Sequence, residues 1–199
     1  MPKTQKVLTT VLWGLMVLLM VSVISAGLFR PPAGPKVLGP APQFSLIDQT
    51  GTALSSDSLK GKVYVADFIF THCAGPCRAM TTRMADLQKQ VNDPAVQFVS
   101  ISVDPKRDTP EVLKAYGEEF GADAKTWKFA TGDSDDIQQI ARGMMQAYAP
   151  AKDDQPILHS ERFILVDATG NIRSTAHAKD EDALKQFVTD IKAVAEQAR

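Results

Sequence analysis

The chain has 199 residues, 44% of them hydrophobic and 23% charged, with a formal net charge of −1. That length suits one domain plus an appendage, and the apolar share is enough for its core. The near-neutral balance supplies no basic face for nucleic acid. Two cysteines, Cys73 and Cys77, exclude a scaffold built on several disulfides.

The first element decides the compartment. Val7 to Phe29 carries no charge and follows Lys3 and Lys6. As a helix it would be roughly 34 Å long, and a bilayer core needs about 20 residues. A transmembrane anchor over 7–29 is expected, with 1–6 cytoplasmic by the positive-inside rule. The competing reading is a cleaved signal peptide, but the run is long for one and Ile24-Ser25-Ala26 is a poor cleavage site. Both readings export the rest of the chain. Residues 30–42, RPPAGPKVLGPAP, are too rich in Pro and Gly for helix or sheet and read as a stiff tether to a domain over 43–199.

The domain opens with a hairpin turning at Gln49-Thr50-Gly51. VYVADFIF, from Val63 to Phe70, is a continuous apolar run typical of a strand buried on both faces. Pro76 suits the first position of a helix to about Val91. A strand follows from Gln97 to Val103, then a helix capped by Thr109 and ending at Gly121. Lys128 to Thr131 is a short strand, and a helix from Asp133 or Ser134 reaches about Tyr148. Strands at 162–166 and 172–176 flank a turn at Asp167, and Asp180 opens a last amphipathic helix. This order gives an α/β, thioredoxin-like sandwich around a mixed sheet with an N-terminal β-hairpin.

Cys73 falls on the loop after the buried strand and Cys77 in the first helical turn. Free N–H groups and the positive end of the helix dipole favour thiolate there. Two thiolates select a soft ion such as Cu(I) or Zn and call for a third donor. His159, just before the strand at 163–166, is the best candidate. The alternatives are a plain structural disulfide, or a redox pair in a thiol–disulfide oxidoreductase. His72 adjoins Cys73 as an accessory donor or a loop residue. Met80 and Met84 have the spacing of core filler, as do Met144 and Met145. Lys106, Arg107 and Asp108 read as a solvated cluster where a helix begins. Arg78 would lower the thiol pKa values if it lies beside them.

Four motifs in order resemble the SCO/SenC family: FTHCAGPC, SVDPKRDTPEVLKAY from Ser102, Trp127 before Thr131-Gly132, and HSERFILVDATG from His159. The resemblance covers roughly Pro42 to Gln197. It implies a thioredoxin-like fold that binds one copper, as Cu(I) or Cu(II), through Cys73, Cys77 and His159. It also implies a metallochaperone role in assembling the copper centre of cytochrome c oxidase, by copper delivery, by reduction of the oxidase cysteines, or both. The implied partners are the copper-centre subunit of the oxidase and a copper donor or thiol reductant. Asp104 matches an acidic family position with a proposed role in partner contact or metal exchange; its alternative is a strand-end turn. Two departures stand out. Arg78 replaces the usual Pro after the second cysteine, and Glu161 occupies the place where thioredoxins carry a cis-Pro, which favours metal over disulfide exchange. The expected location is a bacterial periplasm, with the mitochondrial intermembrane space as the alternative, since no Arg-rich transit segment precedes the anchor.

Overall fold

An Asp followed by Thr and Gly at fixed offsets occurs twice, at Asp48–Thr52 and Asp167–Asn171. In the computed structural model both stretches fold the same hairpin turn. Asp48 Oδ1 accepts from the Thr50 N–H (2.8 Å), the Thr50 hydroxyl (2.5 Å) and the Thr52 N–H (3.1 Å). Asp167 Oδ1 accepts from the Thr169 N–H (2.9 Å), its hydroxyl (2.6 Å) and the Asn171 N–H (3.0 Å). Gly51 and Gly170 sit at φ of 78° and 84°, which only glycine adopts without strain. These two turns set the registers of the hairpins they close.

The structure describes residues 3–28, 34–73, 76–149 and 158–199, and the chain divides into two units, Met1–Ala33 and Gly34–Arg199. In the first, α1 spans Lys3–Leu28. Its side chains are described from Val11 to Ile24, and all are exposed, Trp13, Leu18 and Leu19 among them. Among the described residues no helix is long and apolar enough to cross a membrane.

The second unit is built on an eight-stranded mixed sheet. In chain order its strands are β1 (Gly39–Pro40), β2 (Ser45–Asp48), β3 (Ala53–Ser55), β4 (Val63–Ile69), β5 (Val96–Ser102) and β6 (Trp127–Thr131). A separate pair, β7 (Tyr148–Ala149) and β8 (Leu158–His159), precedes β9 (Arg162–Val166) and β10 (Asn171–His177). Across the sheet the order is β1-β10-β9-β4-β5-β6-β2-β3. β4, β5 and β6 run parallel, and the other neighbours are antiparallel. All seven residues of β4 are buried, as expected for a strand with helices on both faces.

The helices are α2 (Pro76–Val91), α3 (Pro110–Glu119), α4 (Ser134–Gly143) and α5 (Glu181–Gln197). One core lies under α2, α3 and α5 and includes Met80, Met84, Leu113, Tyr116, Phe163 and Phe187. The other lies under α4 and the N-terminal hairpin, with Phe44, Leu54, Ile137, Ile140 and Met144. Gln49 stitches the hairpin to β6 by donating to the Trp127 carbonyl (3.2 Å) and accepting from the Phe129 N–H (2.9 Å).

Two expectations change. Gly39–Pro40, in the stretch read as a tether, forms β1 on the edge of β10, where Gly39 faces Ile172. Arg173 reinforces it by donating to the Pro35 carbonyl at 2.9 and 2.7 Å. Proline is tolerated on such an edge because the missing N–H faces away from the ladder. Second, α4 stops at Gly143 instead of reaching Tyr148. Met145 takes a left-handed conformation (φ 58°). The N–H groups of Met145 and Gln146 return to the carbonyls of Arg142 (3.0 Å) and Ala141 (2.9 Å), closing a Schellman cap. A helical hydrophobic period continues past the cap, so the sequence pattern overshoots.

Candidate metal centre

The parallel strands β4 and β5 deliver two loops to the same end of the sheet, and the C-terminal end of such strands is where open α/β sheets place their sites. The loop after β4 carries Thr71, His72 and Cys73; the loop after β5 carries Asp104 to Asp108. Cys73 and Cys77 are not joined in a disulfide, and are 8% and 0% exposed. The Cys77 N–H points at the Cys73 sulfur at 3.5 Å, so the first turn of α2 brings the two side chains together. The Cys77 carbonyl accepts from Thr81, whose hydroxyl also meets that of Tyr116 at 2.9 Å.

The expectation of a thiolate at Cys77 is corrected. Burial pushes its pKa well above the ordinary thiol range, and the interaction with Cys73 and the charge of Asp67 add to the rise; a hydrogen bond from the Phe70 backbone opposes it. The dipole of the helix terminus does not overcome desolvation at a fully buried sulfur. Arg78 does not help either. Its guanidinium pairs with Glu119 and lies 4.9 Å over the Phe120 ring, turned toward α3 instead of the sulfurs.

Asp67, in the middle of β4, is fully buried, and among the described residues neither carboxyl oxygen has a hydrogen-bond partner at normal geometry. Burial pushes its pKa up to about 7, with Ser100 pulling the other way. Ser100 itself accepts from the Trp127 indole N–H at 3.0 Å, which leaves its hydroxyl proton able to turn toward Asp67.

Asp108, which the sequence places in a solvated cluster, is instead completely buried. It accepts from the Thr71 N–H (3.1 Å), the Thr71 hydroxyl (2.6 Å) and the Ser102 hydroxyl (2.5 Å). Sequence reasoning missed it because charge next to Lys106 and Arg107 looks solvated. The residues around it carry no local signal of that burial.

The other candidates fall as follows. Asp104 is nearly buried at the end of β5 and accepts from Arg107 at 2.5 Å. His72 is exposed, its Nδ1 3.0 Å from the Thr71 hydroxyl. Met80 and Met84 are core residues. Glu161 stands just before β9 and pairs with Lys179. His159 lies in β8, its backbone opposite Tyr148; its imidazole is outside the described residues. Because Ala66 of β4 faces Ile164 of the antiparallel β9, the segment running into β9 lies at the cysteine end of β4. Among the described residues no group of three His, Cys, Asp or Glu side chains is arranged to hold a metal ion.

The sequence pattern of SCO1/SenC matches residues 36–196. The chain belongs to the SCO1/SenC family. It is 34% identical over 154 residues to the SCO1 protein homolog of Bacillus subtilis, covering 75% of this chain and 79% of the relative. The structure of BsSco, a member of the Sco family of cytochrome c oxidase assembly proteins in which a disulfide switch was identified, superposes with a TM-score of 0.73 at 30% identity, over 82% of this chain and 98% of that one. Bradyrhizobium japonicum ScoI with copper bound superposes with a TM-score of 0.64 at 27% identity, over 78% and 99%. The thioredoxin-like mixed α/β fold is common to this SCO1/SenC protein and those structures.

Proposed function

We propose that this SCO1/SenC protein is a membrane-anchored copper metallochaperone that carries one copper ion on Cys73, Cys77 and His159 for assembly of the copper centre of cytochrome c oxidase. The observation that carries the reading is the unbridged, buried cysteine pair in the first turn of α2, with the Cys77 N–H 3.5 Å from the Cys73 sulfur. Two adjacent sulfurs in a shielded site fit a soft ion. A relative of the same fold holds copper, and another belongs to a family of oxidase assembly proteins. The imidazole of His159 is the proposed third donor, since its strand leads into β9 at the cysteine end of the sheet.

The anchor is proposed over residues 7–29. Support comes from α1, apolar around its whole circumference wherever its side chains are described, save Gly14 and Ser22. The two lysines before it put residues 1–6 in the cytoplasm and the domain in a bacterial periplasm. A thiol–disulfide oxidoreductase using the same cysteines is the second reading, favoured by their closeness. The burial of Cys77 counts against it, because an attacking sulfur needs access and thiolate character.

Anaerobic titration of the reduced protein is expected to load one copper per chain, with sulfur and nitrogen ligation in the Cu(II) spectrum. His159→Ala is expected to lose most copper retention while the dithiol potential stays put. Unchanged stoichiometry and affinity in that variant would remove His159 from the site. Rapid reduction of a model disulfide by a protein unable to keep copper would establish the second reading instead.

A further inference from the structure

We propose that Asp108 is a positioning residue for the dithiol, acting through Thr71 to hold the loop that presents Cys73. The proposal rests on the copper reading for its purpose but on hydrogen bonds alone for its geometry. Asp108 lies 37 residues beyond Thr71 and is reached by two of its groups, the backbone N–H at 3.1 Å and the hydroxyl at 2.6 Å. Thr71 stands two residues before Cys73. The internal turn of the same loop is weaker, with the Cys73 N–H 3.4 Å from the Phe70 carbonyl. The loop is therefore held from outside, by the segment after β5.

A carboxylate suits this task better than an amide. With three donors aimed at it, from Thr71 N–H, Thr71 O–H and Ser102 O–H, the group must be acceptor-only. Both hydroxyl protons are then committed. The Thr71 oxygen can only accept from His72 Nδ1, 3.0 Å away, and the Ser102 oxygen only from the Asp104 N–H at 3.1 Å. One buried carboxylate thus sets the direction of the Thr71 and Ser102 hydroxyl bonds and of the bonds those two oxygens accept. It also holds the His72 ring toward Thr71. The amide introduced by Asp108→Asn would put an NH2 group in place of one carboxylate oxygen, donor against donor, and would scramble that order. Holding a ligand's loop in the geometry the metal requires is the part that supporting residues play around metal sites.

The test uses the full chain in detergent with four variants: Thr71→Val, Thr71→Ser, Asp108→Asn and Ser102→Ala. One readout needs no metal, the rate at which iodoacetamide alkylates the two buried thiols of the reduced protein. The other is Cu(I) retention against a competing chelator. Thr71→Val and Asp108→Asn are expected to speed alkylation at least fivefold and to weaken retention at least tenfold. Thr71→Ser, which keeps the hydroxyl, should restore wild-type behaviour. Ser102→Ala, which keeps both Thr71 bonds, should stay within twofold. The Thr71 pair carries the test even if Asp108→Asn does not fold. Wild-type behaviour of Thr71→Val, or an effect of Ser102→Ala as large as that of Thr71→Val, overturns the positioning role. A wild-type protein that retains no copper while the alkylation order holds would overturn the copper reading and leave the positioning role standing.

Discussion

At the scale of single residues, the site concentrates groups whose burial opposes their charge. Cys77 is a thiol in the metal-free protein because desolvation outweighs the helix terminus. A metal that binds its sulfur must displace that proton. Copper affinity is therefore expected to rise with pH, about tenfold per unit for each proton released, and proton release on loading is measurable in weakly buffered solution. An affinity flat from pH 6 to 8 would contradict a protonated Cys77. Asp67 gives a second pH signature. Its carboxyl is raised to about 7 when folded, against about 3.9 unfolded. Between those values the folded state holds the extra proton, so this residue's contribution to stability declines as pH rises through that window and levels off above it. Asp67→Asn removes the titration. It should leave stability near pH 4 almost unchanged and raise it at pH 8 by on the order of 4 kcal/mol. Urea unfolding at the two pH values measures this, and equal effects at both would show that Asp67 does not titrate in that range.

At the scale of elements, the strands and helices were readable where local chemistry and hydrophobic period agreed. The buried run of β4, the Thr109-Pro110 start of α3 and the Asp180 cap of α5 all stand where their residues point. The failures came where a backbone device overrode the period. Nothing in the alternation of residues 134–148 marks the Schellman cap, because Met145 occupies a position that glycine normally signals. Likewise Gly39–Pro40 pairs with β10, and Arg173 of that strand ties the same segment down at the Pro35 carbonyl, a dependence spanning most of the domain's sequence that no local pattern carries. At the site the two cysteines were legible from spacing. Asp67 and Asp108 were not, since a carboxyl in a strand or helix-start motif does not announce its burial. The cap supplies its own test. Met145 is half exposed, so Met145→Gly loses little packing and removes the left-handed penalty of roughly 1 kcal/mol. It should stabilise the domain by about that amount in thermal unfolding. Destabilisation would mean that the Met145 side chain packs on something that its exposure does not suggest.

At the scale of the second unit, its start and the site lie at opposite ends of one sheet. Leu38 and Ala41 bond to the Ile172 and Gly170 carbonyls at 2.8 Å, at the beginning of β10. The far end of β10 pairs His177 with Arg162, and β9 begins there beside the C-terminal end of β4 that leads to Cys73. The strand from Ile172 to His177 covers roughly 17 Å. The clamp on the first residues is the set of bonds made by Arg173, to the Pro35 carbonyl and to Asp167 at 3.0 Å. Asp167 itself feels burial, which raises its pKa, but the hydrogen bonds from Thr169, Asn171 and Arg173 outweigh it and leave the carboxyl below its usual range. Its stabilising contribution is present above the unfolded value of about 3.9 and is lost as the pH falls through the lowered one. Arg173→Ala should therefore make residues 34–42 more sensitive to protease at pH 7 and cost about 1–3 kcal/mol. Because the clamp and the sulfurs are separated by the length of β10, the same variant should retain copper within twofold of wild type. Loss of copper in Arg173→Ala without unfolding would show that the two ends of the sheet are coupled and that this separation does not insulate the site from the start of the domain.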